Sequence, residues 1–339
     1  MSTEEATPTH KVHSIASRPP EKAVMRAGLW LCLAVALLVV FDGPSWLSLN
    51  DVVLAVTMFN LMAMAQAWNL IGGFGGQFSL GHGLFVAVGG YTTTLVLIHT
   101  GVSLAVSVLI AGCVAALVGA LMAIPLLRLR GVYFSVGTLG VLIAAQAWVI
   151  NWKFAGQTTG VVLPASGTLG FNTQYYMAAS LLVITTVVVA SLVKSRYGLR
   201  LMAVRDDEGA AAELGVNGFR VKLAALTISA FLVGLCGAMN AFQQLTLEPY
   251  SAISISWAIG MILACVIGGL ATIPGPLIGA GLLFLLQQEL QADSDLTQLL
   301  EGVILLIVIR FAPGGIWGLV RALPQQLLAQ GQRLRAKET

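Results

Sequence analysis

The sequence predicts an all-α integral membrane protein, and its composition and hydrophobic runs are the observations that predict it. Hydrophobic residues make up 57% of the 339 residues and charged residues only 10%, whereas about 25% of a soluble domain is charged. A chain with so little charge cannot cover a water-facing surface of ordinary size, so much of its surface must face lipid. This excludes a soluble enzyme, a nucleic-acid-binding protein and a disordered scaffold.

The hydrophobic runs predict about ten transmembrane helices. A spanning helix needs roughly 20 mainly apolar residues. The predicted spans are residues 27–41, 51–71, 80–98, 102–127, 133–152, 176–193, 223–245, 252–270, 276–290 and 299–311. After the second span, a glycine-rich stretch breaks the helical pattern.

The distribution of charge predicts that both termini are cytoplasmic. With ten spans, the tails and connections on one side hold every Lys and Arg of the chain except Lys153. Acidic residues fall in the connections or span ends on the other side: Asp42, Asp51, Glu248, Glu289, Asp293 and Asp295. Because cytoplasmic loops carry an excess of Lys and Arg, the basic side is predicted to be the cytoplasmic one.

The span count divides the chain into three regions. Residues 1–26 are polar and are predicted to be a disordered cytoplasmic tail. Residues 27–319 form the predicted transmembrane domain, with a cytoplasmic loop at 194–222. The first span is expected to be retained, because no small-residue cleavage site follows it. Residues 320–339 are a predicted cytoplasmic tail, whose stretch 323–335 fits either an amphipathic interfacial helix or a solvated segment.

The stretch from Gly72 to Gly83 holds six glycines and cannot form a stable helix, because each glycine costs about 1 kcal/mol relative to alanine. Irregular backbone at membrane depth survives only when it is buried in protein or lines a wet cavity. One interpretation is a broken helix along a substrate path, with Gln77, Ser79 and His82 as its polar groups. The other is a tight turn with close helix packing through small residues.

The loop 194–222 is long for a connection between spans. Residues 201–214 are predicted to be one helix that ends at Gly215 in a left-handed cap. Three acidic residues (206–208) precede three alanines (210–212), and alanine side chains let another protein approach closely. The loop is therefore interpreted as a docking element, with a solvated charged loop as the alternative.

Several chemistries are missing from the sequence. It has no Gly-Lys dipeptide and so no G-x-x-x-x-G-K-[ST] motif for binding and hydrolysing ATP. The central parts of the predicted spans lack Asp, Glu, Lys and Arg, which argues against coupling to protons or sodium ions. No second ligand accompanies His82, so no metal site is expected, and the four scattered cysteines are interpreted as small core residues.

Several segments carry a resemblance to a known family. They are WNLIGGFGGQFSLGHGLFVAVGGYT from Trp68, LRLRGVYFSVGTLG from Leu127, TTG from Thr158, SRYGLRLMAVRDDEGAAAELGVNGFRVKL from Ser195, VIGGLATIPGPLIGA from Val266 and RFAPGGIWGL from Arg310. In this order they resemble the permeases of branched-chain amino-acid ABC transporters, of the LivM type. The resemblance covers the chain from about residue 51 to 320.

The resemblance implies a permease domain that forms half of a membrane pore. A second homologous permease would supply the other half, two cytoplasmic ATPase subunits would bind the cytoplasmic loops, and an external binding protein would deliver the substrate. The segment 208–215 is similar to the family's coupling helix, although Gly209 stands where the motif has Glu. The residues expected to couple to the ATPase are Arg205, Asp206, Asp207, Glu208, Ala210, Ala211, Glu213 and Gly215.

The sequence thus predicts an importer permease of the bacterial cytoplasmic membrane with no cofactor, no catalytic site and no nucleic-acid partner. ATP would be hydrolysed by the partner subunits. The resemblance implies branched-chain amino acids as substrate, with urea, short amides and aromatic acids as alternatives within the family. The substrate path is predicted to involve Gln77, Ser79, His82, Tyr91 and Thr138, although Tyr91 and Thr138 could equally make helix–helix hydrogen bonds. A secondary carrier, a facilitative channel and an intramembrane enzyme are the competing hypotheses.

Overall fold

The computed structural model of the protein describes residues 47–289, 302–303 and 314–318. Its α-helices are α1 (Leu49–Asn69), α2 (His82–Thr100), α3 (Leu104–Leu126), α4 (Val132–Asn151), α5 (Phe171–Lys194), α6 (Arg196–Asp206), α7 (Glu208–Glu213), α8 (Gly218–Gln244), α9 (Pro249–Ala252), α10 (Ile255–Gly268) and α11 (Pro274–Glu289). A π-helical turn, Leu70–Phe74, extends α1. Short 3₁₀ turns (Lys153–Ala155, Gln157–Thr159, Ala165–Gly167) and two short strands, β1 (Val161–Val162) and β2 (Thr246–Leu247), complete the described part.

Among the described residues, seven helical segments are long and apolar enough to cross a membrane: Leu49–Phe74, His82–Thr100, Leu104–Leu126, Val132–Asn151, Phe171–Lys194, Gly218–Gln244 and Pro249–Gly268. They coincide with the second to eighth predicted spans, and α11 coincides with the ninth. The protein is therefore an all-α multi-pass membrane protein. The first predicted span and both tails lie outside the described residues, as does the tenth span except for residues 302–303.

Helix α1 lies at the centre of the bundle and packs against α5, α8, α10 and α11. Its second half is buried on all sides: every residue from Ala63 through the end of the π-turn at Phe74 is buried. Such a helix shows no amphipathic stripe in the sequence, because every face meets protein. The polar groups on this half of α1 must therefore find partners inside the protein.

Helix α8 is the second central element and packs against α3 and α2. Backbones approach closely where α8 crosses α2, because glycines replace larger side chains on both helices. A Cβ added to Gly237 would overlap the carbonyl of Val86, and one added to Gly89 would overlap that of Gly234. Close packing through small residues is how helices associate where lipid gives no hydrophobic drive.

One end of the bundle, which we call the β end, is fixed by β1 and β2. The two strands pair antiparallel, with Val161 opposite Leu247, and the Leu163 N–H donates to the carbonyl of Leu245 at 2.7 Å. Two stacked pairs of rings lie at the same end. The ring centroids of Trp148 and Trp152 are 4.6 Å apart, and those of Phe154 and His99 are 4.7 Å apart. The opposite end, which carries α6 and α7, is called the loop end.

Candidate functional site

The helix breaks in the glycine-rich stretch, as the sequence predicts. After α1 the backbone passes into the π-turn, where the Gly75 N–H donates to the carbonyl of Leu70 at 3.1 Å. The Gln77 N–H then donates to the carbonyl of Ile71 at 3.0 Å, and Gly76 between them has a φ of 67°. Turns of this kind inside helices occur frequently at functional sites.

Trp68 fixes the chain after the break against the end of α1 from inside the protein. Its buried indole lies over Gly72, where a Cβ would overlap the ring, and its Nε1–H donates to the carbonyl of Ser79 at 2.9 Å. The ring also meets Phe78 edge to face, with centroids 5.5 Å apart. The chain therefore folds back across the end of its own helix, which places Ser79 and His82 in the core.

Asn69 joins the break to a second glycine-containing turn, residues 269–273. Its Nδ2 donates to the carbonyl of Thr272 at 2.8 Å, and its Oδ1 accepts from the Ala271 N–H at 3.1 Å. Asn69 is fully buried, so both ends of the amide use their hydrogen-bonding capacity within the protein. The ends of α1 and α10 are thus tied together by one side chain.

Helix α6 covers the break at the loop end. The buried side chain of Leu201 packs against Gly75, and the guanidinium of Arg205 lies 3.5 Å from the carbonyl of Gly73. A Cβ added to Gly76 would lie 2.6 Å from Cγ of Arg205. Arg205, which the sequence placed among the coupling residues, therefore contacts the broken helix directly.

Four of the five predicted path residues are buried and hydrogen-bonded within the protein, and Gln77 is half-buried. The Thr138 hydroxyl accepts from the Leu80 N–H at 3.0 Å, and the Gly81 N–H donates to the Ser79 hydroxyl at 3.3 Å. The Tyr91 hydroxyl donates to the carbonyl of Leu247 at 3.1 Å. Thr138 and Tyr91 thus make the interhelical or inter-element bonds that the sequence analysis gave as an alternative.

His82 belongs to a chain of hydrogen bonds that links three helices. The Ser229 hydroxyl donates to the carbonyl of Ala67 at 2.7 Å, so it must accept from Nε2–H of His82, which lies 3.0 Å away. Nε2 is therefore protonated, and Nδ1 has no hydrogen-bond partner among the described residues. All three groups are buried, so the chain holds α1, α2 and α8 in register.

Replacing Ser229 with alanine is expected to destabilise the protein by about 1–3 kcal/mol, because it leaves the buried imidazole N–H without an acceptor. The measurement is the thermal unfolding of the purified protein in detergent. Ser180→Ala is the matched control, since that hydroxyl is exposed and bonds only within its own helix, to Met177. Equal stability of the two variants would contradict the assigned role.

The five predicted path residues line neither an open groove along α3 nor a small cavity between α2 and α8. An open groove of about 330 Å³ is formed along α3 by the apolar side chains of Val106, Leu109, Ile110, Cys113, Val114 and Leu117. A cavity of about 10 Å³, the size of one water, lies between α2 and α8 beside Asn240. A path through these five residues therefore stays a prediction.

The structure of the loop end shows that the prediction of one helix over residues 201–214 is wrong. The structure has two helices, α6 and α7, which meet at Asp207 with an extended backbone (φ −156°, ψ 109°). The carboxylate of Asp207 accepts from the N–H groups of Gly209 at 2.8 Å and Ala210 at 3.0 Å. An acidic N-cap starts a new helix, and the sequence analysis did not recognise Asp207 as one.

The predicted end of the helix at Gly215 is confirmed. Gly215 has a φ of 81°, its N–H donates to the carbonyl of Ala212, and the Val216 N–H donates to that of Ala211, both at 2.9 Å. This is the double hydrogen bond of a Schellman cap. It turns the chain sharply back toward α8.

The predicted coupling residues divide into an inward and an outward set. Ala211 is buried, Glu208 and Arg205 face neighbouring elements, and Arg205 also pairs with Asp206 at 2.8 Å. The predicted residues Asp206, Asp207, Ala210, Glu213 and Gly215 are exposed, and so are their neighbours Gly209, Ala212 and Leu214. Leu214 is 83% exposed, so the tip of α7 presents an apolar side chain among small and acidic residues.

Two contacts fix α6 and α7 to the start of α8. The Tyr197 hydroxyl donates to the carbonyl of Val221 at 2.7 Å, and burial raises the pKa of this phenol well above its usual range. Nζ of Lys222 lies 3.0 Å from Oε2 of Glu208. A carboxylate paired with a buried ammonium is a strong constraint on the position of both elements.

The sequence analysis did not identify Asn69, Gln66, Ser229 or Lys222. Each is a polar residue buried in or beside an apolar helix. Its position in the sequence indicates that it needs a hydrogen-bonding or charged partner, but it does not identify that partner. Gln66 is fully buried on α1, and neither atom of its amide has a hydrogen-bond partner among the described residues. Partners such as Ala67 and Ser229 lie 162 residues apart, beyond the reach of any local pattern.

Comparison with known proteins identifies the family to which this chain belongs. The family described as "Branched-chain amino acid transport system / permease component" matches residues 50–309. The chain belongs to this family. The match covers the broken helix, the α6–α7 element and all the contacts described above, and it confirms the resemblance seen in the sequence. The permease is thus a component of a transport system and not a member of an enzyme family.

Individual relatives agree with this placement. The permease is 26% identical over 332 residues to the high-affinity branched-chain amino acid transport system permease protein LivM of Salmonella typhimurium, covering 89% of this chain and 77% of that protein. The LivM protein of Escherichia coli is 27% identical with the same coverage. The L-arabinose ABC transporter permease protein AraH of Azospirillum brasilense is 28% identical over 127 residues, 35% of this chain and 37% of that protein. No solved structure matches the permease significantly.

Proposed function

We propose that this chain is the membrane-spanning permease subunit of an ATP-driven importer in a bacterial cytoplasmic membrane. The observation that carries the proposal beyond family membership is the folded α6–α7 element at the loop end. It rests on the broken helix through Leu201 and Arg205 and presents the exposed small residues Gly209, Ala210 and Ala212. Such a surface suits a partner that must approach closely and move the membrane helices.

The energy for transport would come from that partner. The chain has no P-loop motif of its own, so ATP would be bound and hydrolysed by two ATPase subunits docked on α7, and the permease needs no cofactor. A second homologous permease would complete the pore, and an external binding protein would deliver the substrate to the β end. This arrangement requires the loop end to be cytoplasmic, as the ten-span topology with both termini inside predicts.

Branched-chain amino acids are the proposed substrates. Relatives named for their transport match 89% of the chain, whereas the relative named for L-arabinose matches 35%. The polar groups near the break are buried and bonded within the protein: the Ser79 hydroxyl accepts from the Gly81 N–H, His82 bonds to Ser229 of α8, and the Thr138 hydroxyl accepts from the Leu80 N–H. A substrate path along them would therefore require these helices to separate during transport.

Replacing Ala210 or Ala212 with tryptophan is expected to lower co-purification of the ATPase subunits by about ten-fold, because a bulky side chain on the docking face prevents close approach. The measurement is the amount of ATPase retained when the tagged permease is purified from cells that express the complete transporter. Ala165→Trp is the matched control, since this alanine is also exposed but lies at the β end.

Unchanged ATPase retention in both variants would contradict docking at α7. If, in addition, the purified chain alone accumulated leucine in vesicles without nucleotide, the protein would be a secondary carrier. Tryptophan is placed at 210 and 212 rather than at 211, because Ala211 is buried. A large side chain there would disrupt packing whether or not an ATPase binds.

A further inference from the structure

Lys222 is an unusual residue for its position. It lies in the second turn of α8, a membrane-spanning helix, and its side chain is only 8% exposed. A buried ammonium is costly unless it is paired. The partner is Glu208 of α7, with Nζ and Oε2 3.0 Å apart, and this is the only ion pair between α7 and α8 among the described residues.

The chain folds tightly around this pair. A Cβ added to Gly218, at the start of α8, would lie 2.7 Å from Oε1 of Glu208. The carboxylate of Glu208 is therefore held between the first turn of α8 and the ammonium of Lys222.

The helical backbone is interrupted at a joint on each side of α7. Asp207 before it is extended, and Gly215 after it is left-handed. This six-residue helix is continuous with neither neighbour, so a partner that pushes or pulls it would act on α7 as a separate unit. A motion of α7 alone would change the backbone at Asp207 and Gly215 without reaching α8. It reaches α8 only if a side chain connects the two helices.

Helix α8 is positioned to carry such a motion into the membrane. Beyond Lys222 it makes three hydrogen bonds to α1. The Ser229 hydroxyl donates to the carbonyl of Ala67, the Cys236 carbonyl accepts from Nδ2 of Asn60 at 3.2 Å, and Nε2 of Gln243 donates to the Thr57 hydroxyl at 3.0 Å. Ser229 also connects it to His82 at the start of α2. A displacement at Lys222 would reach the elements on both sides of the break.

We propose that the Glu208–Lys222 pair is a strut that transmits motion of α7 into α8. Glu208 is then a positioning residue that acts through Lys222, and not a contact to the ATPase. Moving α7 without α8 would leave the ammonium of Lys222 buried and unpaired, so the two helices move together. This inference rests on the proposed importer function and adds a defined route from the docking face to the membrane helices.

The test uses the complete transporter with its ATPase subunits and external binding protein, reconstituted in vesicles. Three quantities are measured: ATPase retained on purification, ATP hydrolysed, and uptake of radiolabelled L-leucine as the probe. Glu208→Gln and Lys222→Met are each expected to lower leucine uptake per ATP hydrolysed by about ten-fold, with ATPase retention within about two-fold of wild type. The charge-swapped double variant, Glu208→Lys with Lys222→Glu, is expected to recover the ratio to within about three-fold.

Arg220→Met is the matched control, because Arg220 lies in the same part of α8 but its exposed side chain has no partner among the described residues. It is expected to keep the wild-type ratio. A purely structural ion pair would lower the melting temperature and the yield of complex, but it would leave uptake per ATP unchanged. The melting temperature of each complex is therefore recorded beside the ratio.

Wild-type uptake per ATP in both single variants would overturn the strut, as would a ratio that the charge swap does not restore. Loss of ATPase retention in Glu208→Gln would also overturn it, because Glu208 would then be an ATPase contact. Failure of the proposed function is visible separately, in the wild-type chain: no ATPase would be retained on purification, or no leucine would enter the vesicles.

Discussion

Replacing Gly237 with alanine is expected to destabilise the folded protein by about 3 kcal/mol or more, although alanine is the better helix former by about 1 kcal/mol. The added Cβ overlaps the carbonyl, C and Cα of Val86. These are backbone atoms of α2 and cannot rotate away as the end of a side chain can. Helices α2 and α8 would have to move apart, which weakens the His82–Ser229 bond a few turns along the same interface.

The measurement is thermal unfolding of the purified protein in detergent, with Gly140→Ala as the control. Gly140 lies in the middle of α4, and no atom of another residue would lie within 4 Å of its added Cβ. The control is expected to be neutral or slightly stabilising, so the same chemical change should lower stability only at Gly237. Equal effects would mean that the close approach of α2 and α8 does not limit stability.

Length and hydrophobicity were sufficient to predict the membrane helices of the described region. The second to eighth predicted spans coincide with seven helical segments of the structure, with ends that differ by a few residues. The largest differences are at the seventh span, which the sequence began at 223 and the structure begins at Gly218, and at the sixth, which the sequence began at 176 and the structure begins at Phe171. Polar residues such as Asn172 and Gln174 open this helix, so its first turn carries no hydrophobic signal.

Local backbone chemistry was predicted only in part. Six glycines in twelve residues were enough to predict the break after α1, and Gly215 was enough to predict the cap of α7. The π-turn itself could not be predicted, because it depends on Trp68 bonding to Ser79 and on α6 packing from outside. Asp207 as an N-cap was present in the sequence, but the acidic run around it reads equally well as the surface of one continuous helix.

The candidate site was predicted by residue type but not by arrangement. Polar residues inside apolar runs were correctly identified as exceptional, yet the sequence could not distinguish a path-lining group from one that bonds to a neighbouring helix. Thr138 bonds to Leu80, and His82 to Ser229, across 58 and 147 residues. Lys222 was missed because its partner Glu208 is 14 residues away, which is about 21 Å along one continuous helix, and the turn at Gly215 that brings them together was not used to pair them.

Replacing Gly76 with alanine is expected to lower leucine uptake by the reconstituted transporter by about ten-fold, while Gly101→Ala lowers it by no more than about two-fold. The two glycines have nearly the same φ, 67° and 62°, both in the left-handed region. A left-handed alanine costs about 1–2 kcal/mol at either position, so this strain cancels in the comparison. What differs is the surroundings: nothing lies within 4 Å of a Cβ at Gly101, whereas Cγ of Arg205 lies 2.6 Å from one at Gly76.

The same contact predicts that Gly76→Ala and Arg205→Ala are not additive. Shortening Arg205 removes the atom that an alanine at 76 would strike, so the double variant should transport better than the two single losses imply, by a coupling free energy of about 1 kcal/mol. Uptake of radiolabelled leucine by all four proteins completes the cycle. Strict additivity would mean that α6 does not press on the broken helix. A positive coupling would instead identify this pair of residues as the place where the loop end acts on the membrane helices. Gly76 adjoins the π-turn and Arg205 belongs to α6. Any force that tilts α6 must therefore bend the break before it reaches Trp68 and the core of α1.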